Sequence, residues 1–160
     1  MVEAWPPRAA APTMRGLVGE SLAVLRWEVP PLLDRLGQQL AGLATHFEVA
    51  AAEGPTETFG LAADAHGVRV VAAPEAPAVV VRTDRATIAA LLQGHLDLRG
   101  AVLTDRLYLL GSLQDVRRLL ASLDTWLHGA VRADGCIPLL DRFLESSLGS
   151  SLGSSLGSGR

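Results

Sequence analysis

The chain has 160 residues, of which 49% are hydrophobic and 19% are charged, so one domain with a sizeable core is expected. This composition excludes a chain that is disordered throughout, because it can bury enough apolar surface to offset the entropy of ordering. The formal net charge is −3, and all 14 basic residues are arginine. We therefore expect no nucleic-acid partner, since binding phosphates requires clustered cations, and the lack of lysine excludes Schiff-base catalysis.

Three features bear on where the protein works. Cys136 is the single cysteine and cannot form an internal disulfide, which fits a reducing compartment. No apolar run reaches the roughly 18 residues that a membrane span requires, and the first residues lack the pattern of a secretory signal. We expect a cytoplasmic protein with no transmembrane segment, in which residues 1–15, rich in Pro and Ala, form a flexible leader.

Helical periodicity opens the main domain, which is predicted to span residues 16–145. Apolar residues at helical spacing predict a first helix from Leu17 to Val29. Pro30 and Pro31 interrupt it, and a second helix is predicted from about Pro31 to Leu43, because proline is tolerated in the first turn of a helix.

The hydrophobic period then changes from helical spacing to two. This change predicts four strands, at 45–52, 57–64, 67–73 and 77–83, separated by turns rich in Gly, Pro and Asp. A short helix at 84–93 follows, and Gly94 is placed to end it.

A strand pair and a long helix are predicted next. The strands are Ala101–Leu103 and Arg106–Leu110, joined by a turn at Thr104 and Asp105. Ser112, with Asp115 three residues later, is typical of a helix start, so a helix is predicted from Leu113 to His128. Its apolar stripe comprises Leu113, Val116, Leu119, Leu120, Leu123, Trp126 and Leu127. A final short helix is predicted to begin at Pro138.

The last segment, residues 146–160, contains the tetrapeptide Ser-Ser-Leu-Gly three times in tandem. Glycine and serine favour a flexible chain, so a disordered tail is expected. A peptide that docks on another surface and a cloning artefact are the alternatives.

The stretch from Leu91 to Gly111 resembles the sterol carrier protein family of the type-two, lipid-transfer kind. Family members typically have two leucines, a glycine and a Leu-Asp pair, then an alanine, and then a basic residue that starts a strand ending in glycine. The matching residues are Leu91, Leu92, Gly94, Leu96, Asp97, Ala101, Arg106, Leu107, Leu109 and Gly111. Leu98 and Asp105 depart from the pattern, where proline and a turn glycine are usual, and aspartate tolerates the left-handed geometry of such a turn.

The resemblance implies an α/β (α+β) single domain with a five-stranded, mostly antiparallel sheet, covered on one face by helices around a hydrophobic cavity. Sterols, fatty acids, acyl-CoA esters and other apolar molecules suit such a cavity. The residues that we place around the ligand are Ile88, Leu92, Leu107, Leu109, Val116, Leu120, Leu123 and Trp126. Arg99 or Arg106 at the rim would meet an anionic head group, because arginine binds carboxylate and phosphate with two parallel hydrogen bonds.

Candidates for catalysis are few. His46 and Glu48 lie two apart on a predicted strand and so share a face, either as a general base with its orienting partner or as part of a solvated outer surface. Asp97 is a third candidate acid or base, but an aspartate at a helix-to-strand junction more commonly binds nearby backbone amides. No metal-ligand spacing, cofactor fingerprint or catalytic serine motif occurs, so no metal or cofactor is expected.

Three functions remain open from the sequence. The first is binding or carrying an apolar small molecule. The second is an enzyme on the same scaffold that acts on a hydrophobic intermediate by acid/base chemistry. The third is a partner-binding or oligomerising module, including a possible homodimer, whose cavity is filled by its own side chains. Titratable groups lining the cavity would favour the enzyme, and a closed cavity would favour the third function.

Overall fold

The computed structural model describes residues 12–152, with the backbone alone for residues 148–152. In chain order the elements are α1 (Met14–Glu28), α2 (Pro30–Leu40), β1 (Thr45–Ala50), β2 (Glu57–Asp64), β3 (Gly67–Val71), β4 (Val79–Asp84), α3 (Arg85–Leu92), α4 (Leu98–Leu103), β5 (Tyr108–Gly111), α5 (Leu113–Ala130), a 3₁₀ turn (Asp134–Cys136) and α6 (Ile137–Leu152). The predicted α+β domain with a five-stranded sheet is confirmed. No helix within the described range is long and apolar enough to cross a membrane.

The five strands form one sheet in the order β3-β2-β1-β4-β5. Three pairings are antiparallel, namely β1 with β2, β2 with β3, and β4 with β5. The pairing of β1 with β4 is parallel, because the chain crosses from the edge strand β3 to the far side of β1 before β4 begins. The amide of Ala78 donates to the carbonyl of Ala44 at 2.8 Å and fixes the end of this crossing. The prediction of a mostly antiparallel sheet is confirmed.

The predicted hairpin of 101–103 with 106–110 is wrong. Leu98–Leu103 is the short helix α4, and Asp97 starts it, since its carboxylate accepts a hydrogen bond from the Gly100 amide at 2.6 Å. Strand β5 pairs with β4 instead, with Leu109 opposite Val81. Asp105, at φ 56°, adopts the left-handed conformation expected of it, but it turns the chain from a helix into a strand.

Helices cover one face of the sheet, and α1 and α2 pack over β2 and β3 while α5 packs over β4 and β5. Side chains alternate along each strand, so Phe47 and Val49 of β1 are buried under the helices. His46 and Glu48, between and beside them, point to the opposite face and are partly exposed. The rings of Phe47 and Phe59 stack with centroids 5.1 Å apart, which joins β1 to β2 inside the core.

The caps explain where the longer helices begin. The Ser112 hydroxyl accepts from the Asp115 amide at 3.2 Å, which confirms the predicted start of α5. Leu113, the first residue of the predicted stripe, is however 75% exposed, so the buried stripe starts one turn later.

Helix α6 is longer than predicted and continues through Leu152, into the first seven residues of the 146–160 segment. Residues 1–11 and 153–160 lie outside the described residues.

Candidate functional site

A pocket lies between the sheet and its covering helices, with a volume of about 70 Å³. The strands contribute Phe47, Val49, Phe59, Leu61, Val81 and Thr83; α1, α2 and α5 contribute Met14, Val18, Leu22, Leu36, Leu40, Leu119, Ser122, Leu123, Trp126 and Leu127; and Ile88, Leu91, Leu98 and Leu107 complete the wall.

Strand register produces the floor of the pocket. Phe47 lies opposite Phe59 on one side and Val81 on the other, and Val81 lies opposite Leu109. Val49 similarly lies opposite Thr83 in the parallel pairing. Because laterally paired residues share a face, these side chains form rows of apolar groups beneath the helices.

The polar atoms in the pocket wall are already bonded within the protein. The Thr83 hydroxyl donates to the carbonyl of Arg106 at 2.9 Å, and the Ser122 hydroxyl donates to the carbonyl of Arg118 at 2.8 Å. The other lining residues are apolar, apart from the indole N–H of Trp126. Among the described residues, the wall therefore carries no carboxylate, imidazole or thiol that could transfer a proton to a molecule inside it.

Trp126 holds the wall formed by α5 against α1. Its indole Nε1 donates to the Ser21 hydroxyl at 2.9 Å, and that hydroxyl donates to the carbonyl of Val18 at 2.8 Å. Ser21 is fully buried and Trp126 is 8% exposed, so this hydrogen bond is shielded from water. Such a bond fixes the indole ring, because a buried N–H without a partner is unfavourable.

The eight residues predicted to surround a ligand divide into two groups of four. Ile88, Leu107, Leu123 and Trp126 line the pocket. Leu92, Leu109, Val116 and Leu120 do not border it, and they pack against the hydrophobic core elsewhere. Within the predicted stripe of α5, Leu119, Leu123, Trp126 and Leu127 therefore line the pocket, whereas Leu113, Val116 and Leu120 do not.

Several lining residues were not singled out from the sequence. Val18 and Leu22 belong to the apolar face of the first predicted helix, which could have suggested them. Phe47 and Val49 alternate along β1 with His46 and Glu48, and this alternation indicates that they face the core. Met14 lies before the predicted helix start, and no pattern in the sequence indicated it.

The candidate catalytic residues lie away from the pocket. On the uncovered face of the sheet, His46 Nε2 is 3.4 Å from Glu48 Oε1, and Glu48 Oε2 accepts from Arg82 Nε at 2.8 Å. Asp97 caps α4 and does not line the pocket, and Arg99 is exposed beside it. Arg106 is also exposed, and it contributes its backbone carbonyl to the bond with Thr83.

Cys136 is the last residue of the 3₁₀ turn and is fully buried. Burial raises the pKa of its thiol, and the nearby Glu28 carboxylate raises it further, so the thiolate is disfavoured at neutral pH. Among the described residues no group of three histidine, cysteine or acidic side chains is placed to hold a metal ion.

Comparison with solved structures shows the same fold. The sterol carrier protein domain 2 of Helicoverpa armigera is 16% identical, with a TM-score of 0.52 over 69% of this chain and 88% of its own. Sterol carrier protein 2 from Yarrowia lipolytica is 13% identical, with a TM-score of 0.51 over 74% of this chain and 94% of its own.

No curated protein sequence matches the chain. The model of the SCP-2 sterol transfer family matches residues 30–124, from the start of α2 into α5. This match covers more than half of the 160 residues and includes the whole sheet. The chain therefore belongs to the SCP-2 sterol transfer family.

Proposed function

We propose that the protein binds an apolar small molecule, or the apolar part of a lipid, in the pocket between α1, α2, α5 and the sheet. The observation that carries this proposal is the wall itself, whose hydroxyl groups are bonded within the protein and whose other side chains are almost all apolar. Membership of a sterol transfer family supports lipid binding in general. Carriage of the ligand, a cytoplasmic location and assembly as a homodimer are further parts of the proposal.

The size of the pocket limits the affinity of a ligand that fits without rearrangement. Each buried methylene contributes about 0.8 kcal/mol, so a six-carbon ligand gains at most about 5 kcal/mol, which corresponds to a Kd on the order of 0.1–1 mM at best. A longer chain requires the wall to widen. Met14 and the leucines of α1 and α5 are the side chains best suited to move, because Met in particular has several rotatable bonds.

The pocket chemistry favours binding over catalysis. His46 and Glu48 face away from the pocket, and Asp97 is engaged with the Gly100 amide. A ligand in the pocket would therefore meet none of the three residues proposed as acid or base. A module with a closed, self-filled interior is the competing function, and the modest volume of about 70 Å³ is the observation in its favour.

A matched pair of substitutions on α5 tests the proposal. Leu123 lines the pocket and Leu120 does not, although both are partly buried on the same helix. Saturation-transfer NMR with benzene, a six-carbon probe without a head group, is expected to detect binding to the wild type and to Leu120→Trp. Leu123→Trp is expected to lose benzene binding, because the indole would occupy the space of the probe.

Thermal melts of both variants control for folding, since overpacking a core typically costs about 1–3 kcal/mol. Native mass spectrometry of the purified protein, followed by lipid extraction, would identify a co-purifying ligand. A wild type that binds no benzene and carries no lipid, together with a strongly destabilised Leu123→Trp, would establish the closed interior instead.

A further inference from the structure

An ion pair lies just beyond one end of the pocket floor, and neither of its two side chains borders the pocket. Glu57 lies opposite Val49 in the sheet, and Val49 lies opposite Thr83, so the three residues form one row on the face that the helices cover. Val49 and Thr83 line the pocket, and Glu57 continues their row. Arg85 follows Thr83 by two residues, and its Nη1 atom is 3.6 Å from Glu57 Oε2.

This pair is shielded from water. The side chains of Arg85 and Glu57 are 14% and 21% exposed, whereas those of Arg82 and Glu48 on the opposite face are 54% and 29% exposed. Burial lowers the pKa of Arg85 and the Glu57 charge opposes that shift. Desolvation therefore disfavours an unpaired charge at this site, while the 3.6 Å separation of Arg85 and Glu57 is longer than a direct hydrogen bond.

The pair is tied to the pocket wall through Met14. The Met14 amide donates to Glu57 Oε2 at 2.9 Å, and the Met14 side chain lines the pocket. The Arg85 guanidinium donates to the Pro12 carbonyl at 2.7 Å and to the Ser146 hydroxyl at 2.8 Å, and it lies 4.4 Å from the centre of the Phe143 ring. These contacts fix both charges at one end of the apolar pocket.

We infer that a ligand in the pocket extends past Val49 and Thr83 to Glu57 and Arg85, and that this pair selects a ligand that ends in an uncharged hydroxyl group over one that ends in a carboxylate or an ammonium. This inference rests on the proposed function. The pair is already balanced, with one negative and one positive charge. A hydroxyl can donate to Glu57 and accept from Arg85 without changing that balance. An ionised head group would leave one unpaired charge in a shielded site, which is strongly unfavourable.

Three six-carbon probes with different head groups test the inference on the full chain. NMR titrations with 1-hexanol, hexanoate and hexylammonium at neutral pH are expected to give a Kd for 1-hexanol at least tenfold lower than for either ion. Benzene serves as the reference without a head group. If benzene binds but hexanoate binds as tightly as 1-hexanol, the selection is overturned while the pocket stands. If benzene does not bind and no lipid co-purifies, the proposed function and this inference both fail.

Replacing Glu57 should reverse the preference. Glu57→Gln keeps an oxygen to accept from the Met14 amide but leaves Arg85 with an unbalanced positive charge. Hexanoate is then expected to bind at least as tightly as 1-hexanol, and hexylammonium to bind more weakly than in the wild type. Glu48→Gln removes a carboxylate from the opposite face and should keep the wild-type order. An unchanged order in a folded Glu57→Gln would contradict the inference; if that variant does not fold, the wild-type titrations decide alone.

Discussion

Removing the Ser21 hydroxyl tests how the pocket wall is held together. In the wild type this hydroxyl accepts a hydrogen bond from the indole N–H of Trp126 at 2.9 Å and donates one to the carbonyl of Val18. Ser21→Ala leaves the indole N–H without a partner in a place where Trp126 is only 8% exposed. A buried donor left unsatisfied costs about 1–3 kcal/mol, and the better helix propensity of alanine offsets a few tenths of that.

The expected net loss in the free energy of unfolding is therefore about 2 kcal/mol. For a chain of this length each kcal/mol corresponds to roughly 2–4 °C, so the Tm should fall by about 4–8 °C. Ser122→Ala is the matched control, since Ser122 is also buried, at 2% exposure, but bonds only to the Arg118 carbonyl of its own helix. Ser122→Ala leaves no hydrogen-bond donor without a partner, so it should change the free energy of unfolding by less than about 0.5 kcal/mol.

Urea denaturation followed by circular dichroism measures both variants, and a double-mutant cycle isolates the bond. In a Trp126→Phe background the indole donor is absent, so Ser21→Ala should leave the free energy of unfolding nearly unchanged. The coupling energy between Ser21 and Trp126 should then be about 1–2 kcal/mol. Equal losses for Ser21→Ala and Ser122→Ala would refute this account of the wall. The same loss for Ser21→Ala with and without the indole would refute it as well.

Two glycines should respond to alanine in opposite directions in urea denaturation. A Cβ on Gly60 would lie 2.7 Å from the backbone oxygen of Thr45, so Gly60→Ala should lower the free energy of unfolding by at least about 2 kcal/mol. A Cβ on Gly37 would lie 3.6 Å from the Val68 side chain, which is ordinary contact, so Gly37→Ala should raise the free energy of unfolding by about 0.5–1 kcal/mol through better helix propensity. Burial raises the pKa of the Cys136 thiol, so stability should fall as the pH rises above the ordinary value of about 8.5, where the unfolded chain ionises first. Urea denaturation midpoints measured as the pH rises above that value test this prediction, and a midpoint that increases with pH would contradict it.

The order of elements was predictable because the hydrophobic period changes clearly along the chain. Helical spacing precedes residue 45, alternation follows it, and Ser112 marks the start of α5. The segment Ala101–Leu103 was misassigned because a run of three apolar residues fits a strand and a helix equally well. The sequence indicates that Asp97 binds nearby backbone amides, but it does not indicate that these amides belong to the start of a helix, which decides the assignment.

The site was harder to predict than the fold, since periodicity gives the buried face of a helix but not what that face meets. Leu120 and Leu123 belong to one stripe of α5, yet only Leu123 reaches the pocket. The parallel pairing of β1 with β4 is equally invisible in local patterns, because it depends on where the chain goes after β3. That pairing places Val49 beside Thr83 and so forms part of the pocket floor.

The distribution of charge across the sheet follows from this topology. On the uncovered face, Glu48 pairs with Arg82, where solvent screens the interaction and either partner could be lost at little cost. On the covered face, Glu57 pairs with Arg85 at the same end of the strands, where the helices exclude most of the solvent. A charge pair kept at the edge of an apolar core is unfavourable unless its geometry is well satisfied. Its position at the end of the row that includes Val49 and Thr83 is the reason why we infer that this pair selects the head group of the ligand.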